Sequence, residues 1–325
     1  MTASLDARAA VPPALRDAVL SWYAATGRSL AFRATTDPYA MLVSELMAQQ
    51  TQAARAADAW TAWMARFPTV GVLAEAPVAD VLRAWAGLGY NRRALALHRA
   101  AWVIVEQHGG EVPSSVEALD ALPGVGPYTA RAVAAIAFGQ PVGAVDTNVR
   151  RVLGRVAAGG AEAFSPAAMQ ALADAVVPAD LAGAWTHALM DVGARVCRPA
   201  RPLCEDCPAV SWCRYAAGER VPTRPAGAAA GVTAGATAGL AAGVARARPR
   251  QPRRPEPRFE TTTRWLRGRI LERARDAADG TWVTYAEPMG AHGAHAIREA
   301  VAALASEGFL EASEAADGPE ARLPR

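Results

Sequence analysis

The chain contains no lysine, so all 34 of its Lys+Arg residues are arginine. Without a side-chain amine, no Schiff base to a carbonyl or sugar carbon can form from a lysine, and that whole class of covalent catalysis is excluded. Aromatic residues are scarce at 6%, whereas apolar residues reach 52%. A core short of rings must be assembled from Ala, Leu and Val, which favours helices. No apolar run approaches the roughly 20 residues of a membrane span, and residues 1–11 show no apolar stretch ahead of a cleavage site. A soluble cytoplasmic protein is the expectation. Cysteine is confined to four residues between Cys197 and Cys213; so tight a cluster points to a metal rather than to a disulfide framework.

What is present reads as short amphipathic helices broken by turn residues. Apolar spacings of three and four predict helices over 58–67, 78–85, 92–107 and 129–138, punctuated by Pro68, Pro77, Gly87, Gly89, Gly109, Gly110 and Pro123. Nothing before residue 221 alternates with period two over a useful length, so the first domain, 1–221, is expected to be all-α. Residues 222–258, dominated by Ala, Gly, Pro and Arg, read as a flexible linker, with an Ala-rich helix as the alternative. Residues 259–325 read as a small α/β module: helices over 263–274 and 295–305, then a short strand over 308–311. That order suits a winged helix, and a plain helical appendage fits nearly as well. The net charge of +3 is uneven. Between Val244 and Arg275 eleven arginines face three acids, which is +8 for that stretch and −5 for the remainder; a polyanion contact is implied there.

The most informative local pattern is Leu122-Pro123-Gly124-Val125-Gly126-Pro127-Tyr128-Thr129. A helix capped at Ser114 or Ser115 stops at Pro123, and another begins at Pro127, a residue suited to a first helical turn. The hairpin Gly124-Val125-Gly126 would present backbone amides at a helix N-terminus, a natural seat for one nucleic-acid phosphate. An ordinary tight turn between helices is the other reading.

Two carboxylates draw attention. Asp146, in Val145-Asp146-Thr147-Asn148-Val149, reads in isolation as an N-cap. Glu45, in Ser44-Glu45-Leu46-Met47, is an acid embedded in an apolar helix, where burial raises the pKa. A buried carboxyl that keeps its proton beside one that stays ionised is the pair that N-glycosidic cleavage of a purine needs: one protonates the leaving base, the other supports the sugar cation. Further on, Cys197-x6-Cys204-x2-Cys207-x5-Cys213 is a compact four-thiolate loop suited to zinc or a [4Fe–4S] cluster, with arginines at 195, 198, 201 and 214 that face either DNA or solvent.

Together these strings resemble the helix–hairpin–helix DNA glycosylase superfamily and, within it, the MutY-type adenine glycosylases. The resemblance runs from about Trp22 to Cys213 in family order. It rests on Asp37-Pro38-Tyr39, Ser44-Glu45-Leu46-Met47-Ala48-Gln49-Gln50-Thr51-Gln52, Arg66-Phe67-Pro68-Thr69, Gly87-Leu88-Gly89-Tyr90, the hairpin, the Asp146 string and the cysteine spacing. It implies a glycosylase fold of two helical subdomains with a cleft, and a [4Fe–4S] cluster on Cys197, Cys204, Cys207 and Cys213. It further implies a monomer acting on double-stranded DNA that carries a mismatch or lesion, in the bacterial cytoplasm at the nucleoid. Glu45 would protonate the extruded adenine at N7. Asp146 would stabilise the sugar cation, by charge alone or through a transient covalent link, with Tyr128 and Asn148 assisting. Gln49, Gln50, Thr51 and Tyr90 would contact DNA, with Gln50 and Tyr90 entering the helix stack. Siblings that also nick the strand carry lysine where Tyr128 stands; tyrosine there, in a chain without lysine, implies base excision alone.

The expected activity is therefore excision of adenine opposite 8-oxoguanine or guanine. The alternatives are a glycosylase for thymine or uracil opposite guanine, and a non-catalytic iron–sulfur DNA-binding protein. The chain departs from the family at Ala31-Phe32, where Pro-Trp is usual, at Ala48 for leucine, and at Asn91 for a second tyrosine. Residues 259–325 are too short for the Nudix-like domain that checks for 8-oxoguanine in many members, so the opposing-base preference is open.

Overall fold

Prolines and small polar caps decide where the helices begin. The computed structural model describes residues 7–219 and 258–325, which fall in two separate compact units. The first holds α1 (Ala7–Ala10), α2 (Pro13–Thr26), α3 (Pro38–Ala48), α4 (Ala53–Arg66), α5 (Val70–Glu75) and α6 (Val78–Ala84). These are followed by α7 (Arg92–His108), α8 (Val116–Asp120), α9 (Pro127–Ala137), α10 (Thr147–Ala158), α11 (Pro166–Ala175) and α12 (Ala182–Asp191), which runs into a π-turn at Val192–Val196. The side chains of Asp37, Thr69, Ser115, Asp146 and Ser165 each accept a backbone N–H in the first turn of the helix that follows, satisfying donors that the helix itself cannot.

Packing sorts these helices into two halves. In one, α3 is the buried centre, with α4 and α7 against it and α5 and α6 against α7. Its core holds an aromatic cluster: Trp63 lies 4.8 Å from Phe67 and edge-on to Trp85 at 5.5 Å, and the Tyr39 hydroxyl donates to the Phe67 carbonyl at 2.9 Å. The other half joins the N-terminal α1 and α2 to α10, α11 and α12 around an Ala/Val/Leu core that includes Leu15, Val19, Val152, Leu172 and Trp185. Helix α9 lies between them, packed on α3 and α8 from one side and on α12 from the other.

Helix α4 starts five residues before the sequence places it. Ala56 and Ala57 are buried, yet alanine gives no clear periodic signal, so the first turn is invisible to an apolar-spacing argument. The all-α reading of the first unit holds among its described residues. The linker expected over 222–258 and most of its arginines lie outside the described residues, Arg258 excepted.

In the second unit, α13 (Thr263–Asp276) and α14 (Ala294–Ser306) pack together, and α14 covers a three-stranded antiparallel sheet of order β1 (Val283–Thr284), β3 (Gly318–Arg322), β2 (Glu311–Ala315). The strand expected over 308–311 starts only at Glu311. Gly308 turns the chain at φ 82°, and Phe309 and Leu310 are spent filling the core beneath α14.

Candidate active site

Glu45 sits on α3, whose residues Tyr39 to Ser44, Leu46 and Met47 are all buried. Its own side chain keeps some accessible surface. Burial pushes its pKa from 4.5 up to about 7; a hydrogen bond with Tyr128 works against this, the negative charge of Asp146 adds to it, and Arg33 opposes it. Tyr128 enters from the first turn of α9, two residues after the hairpin. Its phenol is held well above the usual tyrosine range by burial first and then by the two acids, and the hydroxyl stands 3.9 Å from Met190 Sδ on α12. It stays protonated and available to Glu45.

Asp146 caps α10: Oδ1 accepts from the Val149 N–H at 2.6 Å and Oδ2 from Asn148 Nδ2 at 2.8 Å. Both carboxylate oxygens are thus held by N–H donors at the start of α10. The N-cap reading of Asp146 holds: capping uses one carboxylate oxygen, and Asn148 fixes the other. Glu45, Tyr128, Asp146 and Asn148 thus converge from three helices that are distant in sequence.

Asn148 is itself held. Arg151 Nη2 donates to Asn148 Oδ1 at 2.8 Å and to the Gly193 carbonyl at 2.7 Å, and Arg151 Nε donates to the Cys197 carbonyl at 2.7 Å. One guanidinium connects the residues beside Asp146 to the start of the cysteine loop. That loop docks on α10 through Arg155, whose Nη1 lies 3.4 Å from Cys197 Sγ and 2.8 Å from the Arg198 carbonyl. Cys197, Cys204, Cys207 and Cys213 form no disulfide and line one recess. Burial pushes the Cys207 thiol up to about 11 and raises that of Cys213, and the neighbouring sulfurs add to both shifts. Among the described residues, no three His, Cys, Asp or Glu are gathered as ligands of a single metal ion. Four partly buried thiols lining one recess, whose sulfurs would repel one another if ionised, are a donor set suited to a larger cationic cluster.

The hairpin is built as its glycines require. Gly124 has φ 78°, and a Cβ there would meet the Ala96 Cβ at 2.5 Å. Val125 turns its side chain into the core, and its N–H is already used by the Leu122 carbonyl at 3.1 Å; among the described residues the amides of Gly124 and Gly126 have no backbone acceptor. Of the Gln49-Gln50-Thr51 string, Gln50 is exposed at φ 54°. Gln49 instead reaches Thr129 at 3.3 Å, and Thr51 is half-buried. Tyr90 is 48% exposed with φ 46°. Left-handed backbone at residues that are not glycine costs on the order of 1–3 kcal/mol each and needs support from its surroundings.

Sequence reasoning passed over a buried ionic cluster next to the acids. Asp191, with no accessible side chain, receives Arg33 through both terminal nitrogens (3.0 and 2.9 Å) and Arg28 through Nε at 2.7 Å and its backbone N–H at 2.9 Å. Burial alone would raise its pKa, but the hydrogen bonds from Arg33 and Arg28 outweigh that and bring it down to about 2. His187, one turn earlier on α12, is held down to about 3 by burial and by Arg33, and is neutral. The signal was present: Asp191, in Leu189-Met190-Asp191-Val192, is an acid inside an apolar run, as Glu45 is.

Residues 43–178 match the model of the HhH-GPD superfamily of base excision DNA repair proteins. The chain is 47% identical over 201 residues to the adenine DNA glycosylase of Mycobacterium tuberculosis, covering 61% of this chain and 66% of that protein. It is 40% identical over 261 residues to that of Mycolicibacterium smegmatis, covering 80% of each, and 45% identical to that of Homo sapiens, of which it spans 39%. The match therefore falls just short of two thirds of the Mycobacterium tuberculosis protein. Among solved structures, a thermostable thymine-DNA glycosylase superposes with a TM-score of 0.59 at 30% identity, over 62% of this chain and 95% of that one. A trapped endonuclease III–DNA complex superposes at 0.55 and 23% identity, over 63% of this chain and 94% of that one, a likeness of fold.

Proposed function

This chain belongs to the adenine DNA glycosylases of the HhH-GPD superfamily, and from that premise we propose that it excises adenine from duplex DNA by hydrolysing the N-glycosidic bond, without cutting the strand. The observation that carries the reading is the Glu45–Tyr128–Asp146 convergence, in which a buried carboxyl and a helix-capping one lie against the same phenol.

In this reading Glu45, half protonated near neutral pH, gives its proton to N7 of the extruded adenine. The C1′–N9 bond breaks with its electron pair leaving on the base, and the carboxylate of Asp146 stabilises the cationic sugar. A water then adds at C1′ and its proton passes to Glu45, which restores the starting state. Tyr128 orients the Glu45 carboxyl, and Asn148 holds Asp146. With no lysine in the chain, no imine to the sugar forms from a side-chain amine, and β-elimination has no starting point.

Cys197, Cys204, Cys207 and Cys213 would hold a [4Fe–4S] cluster, whose iron would neutralise the four thiolates and staple the loop. The loop it would close carries the Cys197 carbonyl that anchors Arg151. The opposing base is taken as 8-oxoguanine or guanine.

Base release from A:8-oxoguanine, A:G and G:T duplexes, with and without alkali, tests the proposal. Adenine release, with strand cleavage only after alkali, is expected. Release of thymine alone would move the chain to the G:T class, and binding without any release would leave it a DNA-binding protein.

A further inference from the structure

Arg93, near the start of α7, has a part in none of the chemistry above, yet its guanidinium joins two loops. Nη1 donates to the carbonyls of Leu46 at 2.8 Å and Met47 at 3.1 Å, and to that of Gln49, all at the C-terminal end of α3. Nη2 reaches Thr51 Oγ1 at 3.3 Å and the carbonyls of Leu88 and Gly89, each at 3.2 Å. The Trp85 and Tyr90 rings flank it, 5.3 and 5.6 Å from Cζ. Every acceptor is main-chain or hydroxyl oxygen, so the cation serves geometry and is not an ion-pair partner.

What those carbonyls adjoin gives the arrangement its meaning. Among the described residues, Gln50 and Tyr90 are the only non-glycine residues with positive φ, and each directly follows a carbonyl that Arg93 holds, Gln49 and Gly89. Both side chains are exposed. Two strained loops from separate segments, each with a projecting side chain, are tied by one planar fork to the helix that carries Glu45, one residue before Leu46.

We propose that Arg93 is a positioning residue for base extrusion: it clamps the two loops so that Gln50 and Tyr90 enter the duplex as one wedge, at a fixed distance from Glu45. The inference rests on the reading of the chain as a glycosylase that acts on an extruded base. Arginine is required because its rigid fork offers donors in two directions at once, whereas a lysine ammonium is a point donor on a flexible stem and would hold one loop or the other. A wedge offsets the unstacking cost only if both parts arrive together.

The test uses the full-length protein and a duplex with 2-aminopurine at the target position, whose fluorescence rises when the base leaves the stack. Arg93→Lys is expected to bind the duplex and lose most of that rise. Its single-turnover excision of adenine from the matching duplex should fall roughly 30-fold, about 2 kcal/mol at 1.36 kcal/mol per tenfold. A fluorescence rise equal to the wild-type one overturns the proposal. A second measurement does not depend on that variant folding: Gln50→Ala, Tyr90→Ala and the double variant, both changes lying at the surface. Parts of one clamped wedge should be non-additive, the double variant losing little more than the worse single; additive losses overturn the proposal. If the wild-type protein itself gives no rise, the extruded-base reading fails, and the clamp fails with it.

Discussion

Replacing Glu45 with glutamine should slow excision by orders of magnitude and yet stabilise the protein at alkaline pH. Burial raises the Glu45 pKa from 4.5 to about 7, so about half the molecules carry the proton at pH 7, against roughly one in 300 at the ordinary value. The rate of a step that needs the acid form should therefore be flat below that pKa and fall tenfold per pH unit above it. Glutamine keeps the size and the hydrogen bond to Tyr128 but has no proton to give, and the loss should be roughly 10²- to 10⁴-fold. The stability argument has the same source. A carboxyl whose folded-state pKa lies above its unfolded one favours folding fully below pH 4.5, and that contribution is lost as pH rises through 7. The difference between 4.5 and about 7, at 1.36 kcal/mol per unit, is about 3 kcal/mol. Urea unfolding at pH 8.5 should show the glutamine variant more stable by up to that amount, and the two proteins should be alike near pH 4. The assay is single-turnover base release from pH 5.5 to 9 beside urea melts at the two extremes. A flat rate profile together with equal stability at pH 8.5 would refute the claim that Glu45 is a buried acid.

Asp146→Asn should leave folding intact, because asparagine caps a helix as well as aspartate. Excision should drop by roughly 10²- to 10³-fold while duplex affinity stays within a few-fold; parallel loss of both in gel-shift and turnover assays would contradict the electrostatic role. Gly124→Ala places a Cβ 2.5 Å from that of Ala96 at a left-handed φ and should cost about 1–3 kcal/mol in urea melts. Gly126→Ala meets no atom within 4 Å and should fold normally. If it loses DNA affinity, its Cβ has met the phosphate; unchanged affinity would move the phosphate elsewhere. Asp191→Asn should destabilise the protein by about 3–5 kcal/mol at pH 7, since it leaves Arg33 buried without its counter-charge. The pKa of about 2 puts the stability from that pair above the ordinary carboxylate range, to be lost as pH falls toward 2, and a melting temperature independent of pH between 2 and 5 would count against it.

The parts of the molecule legible in the sequence are those where one residue type has one physical use. Gly124 and Pro127 mark the hairpin because little else fits a left-handed turn beside a neighbouring helix or the first turn of another. Glu45 stands out because acids rarely sit among consecutive buried apolar residues. Other features were hidden because their meaning lies in partners far along the chain. The pairing of α1 and α2 with α10 to α12 leaves no local mark. Arg93 and Arg151 look like two more arginines in a chain rich in them, and only the carbonyls they hold distinguish them. The early start of α4 was missed because buried alanines do not register as a periodic face.

The position of Tyr128 explains why the hairpin and the acids belong to one device. Gly126 caps α9, and Tyr128 is two residues further on, so the hairpin amides and the phenol are fixed relative to each other by barely one turn of helix, rising about 1.5 Å per residue. That turn packs between α3, which carries Glu45, and α12, which carries Met190 and Asp191. A phosphate held at the Gly124 and Gly126 amides would therefore set the height of the strand above the acids with no loop in between to absorb error. Asp146 reaches the same point by another route, through the cap of α10 and the Asn148–Arg151 link to the cysteine loop. Loosening either route should misplace the sugar by a fraction of an ångström to an ångström, and for reactions that depend on alignment such errors cost rate well before they cost binding.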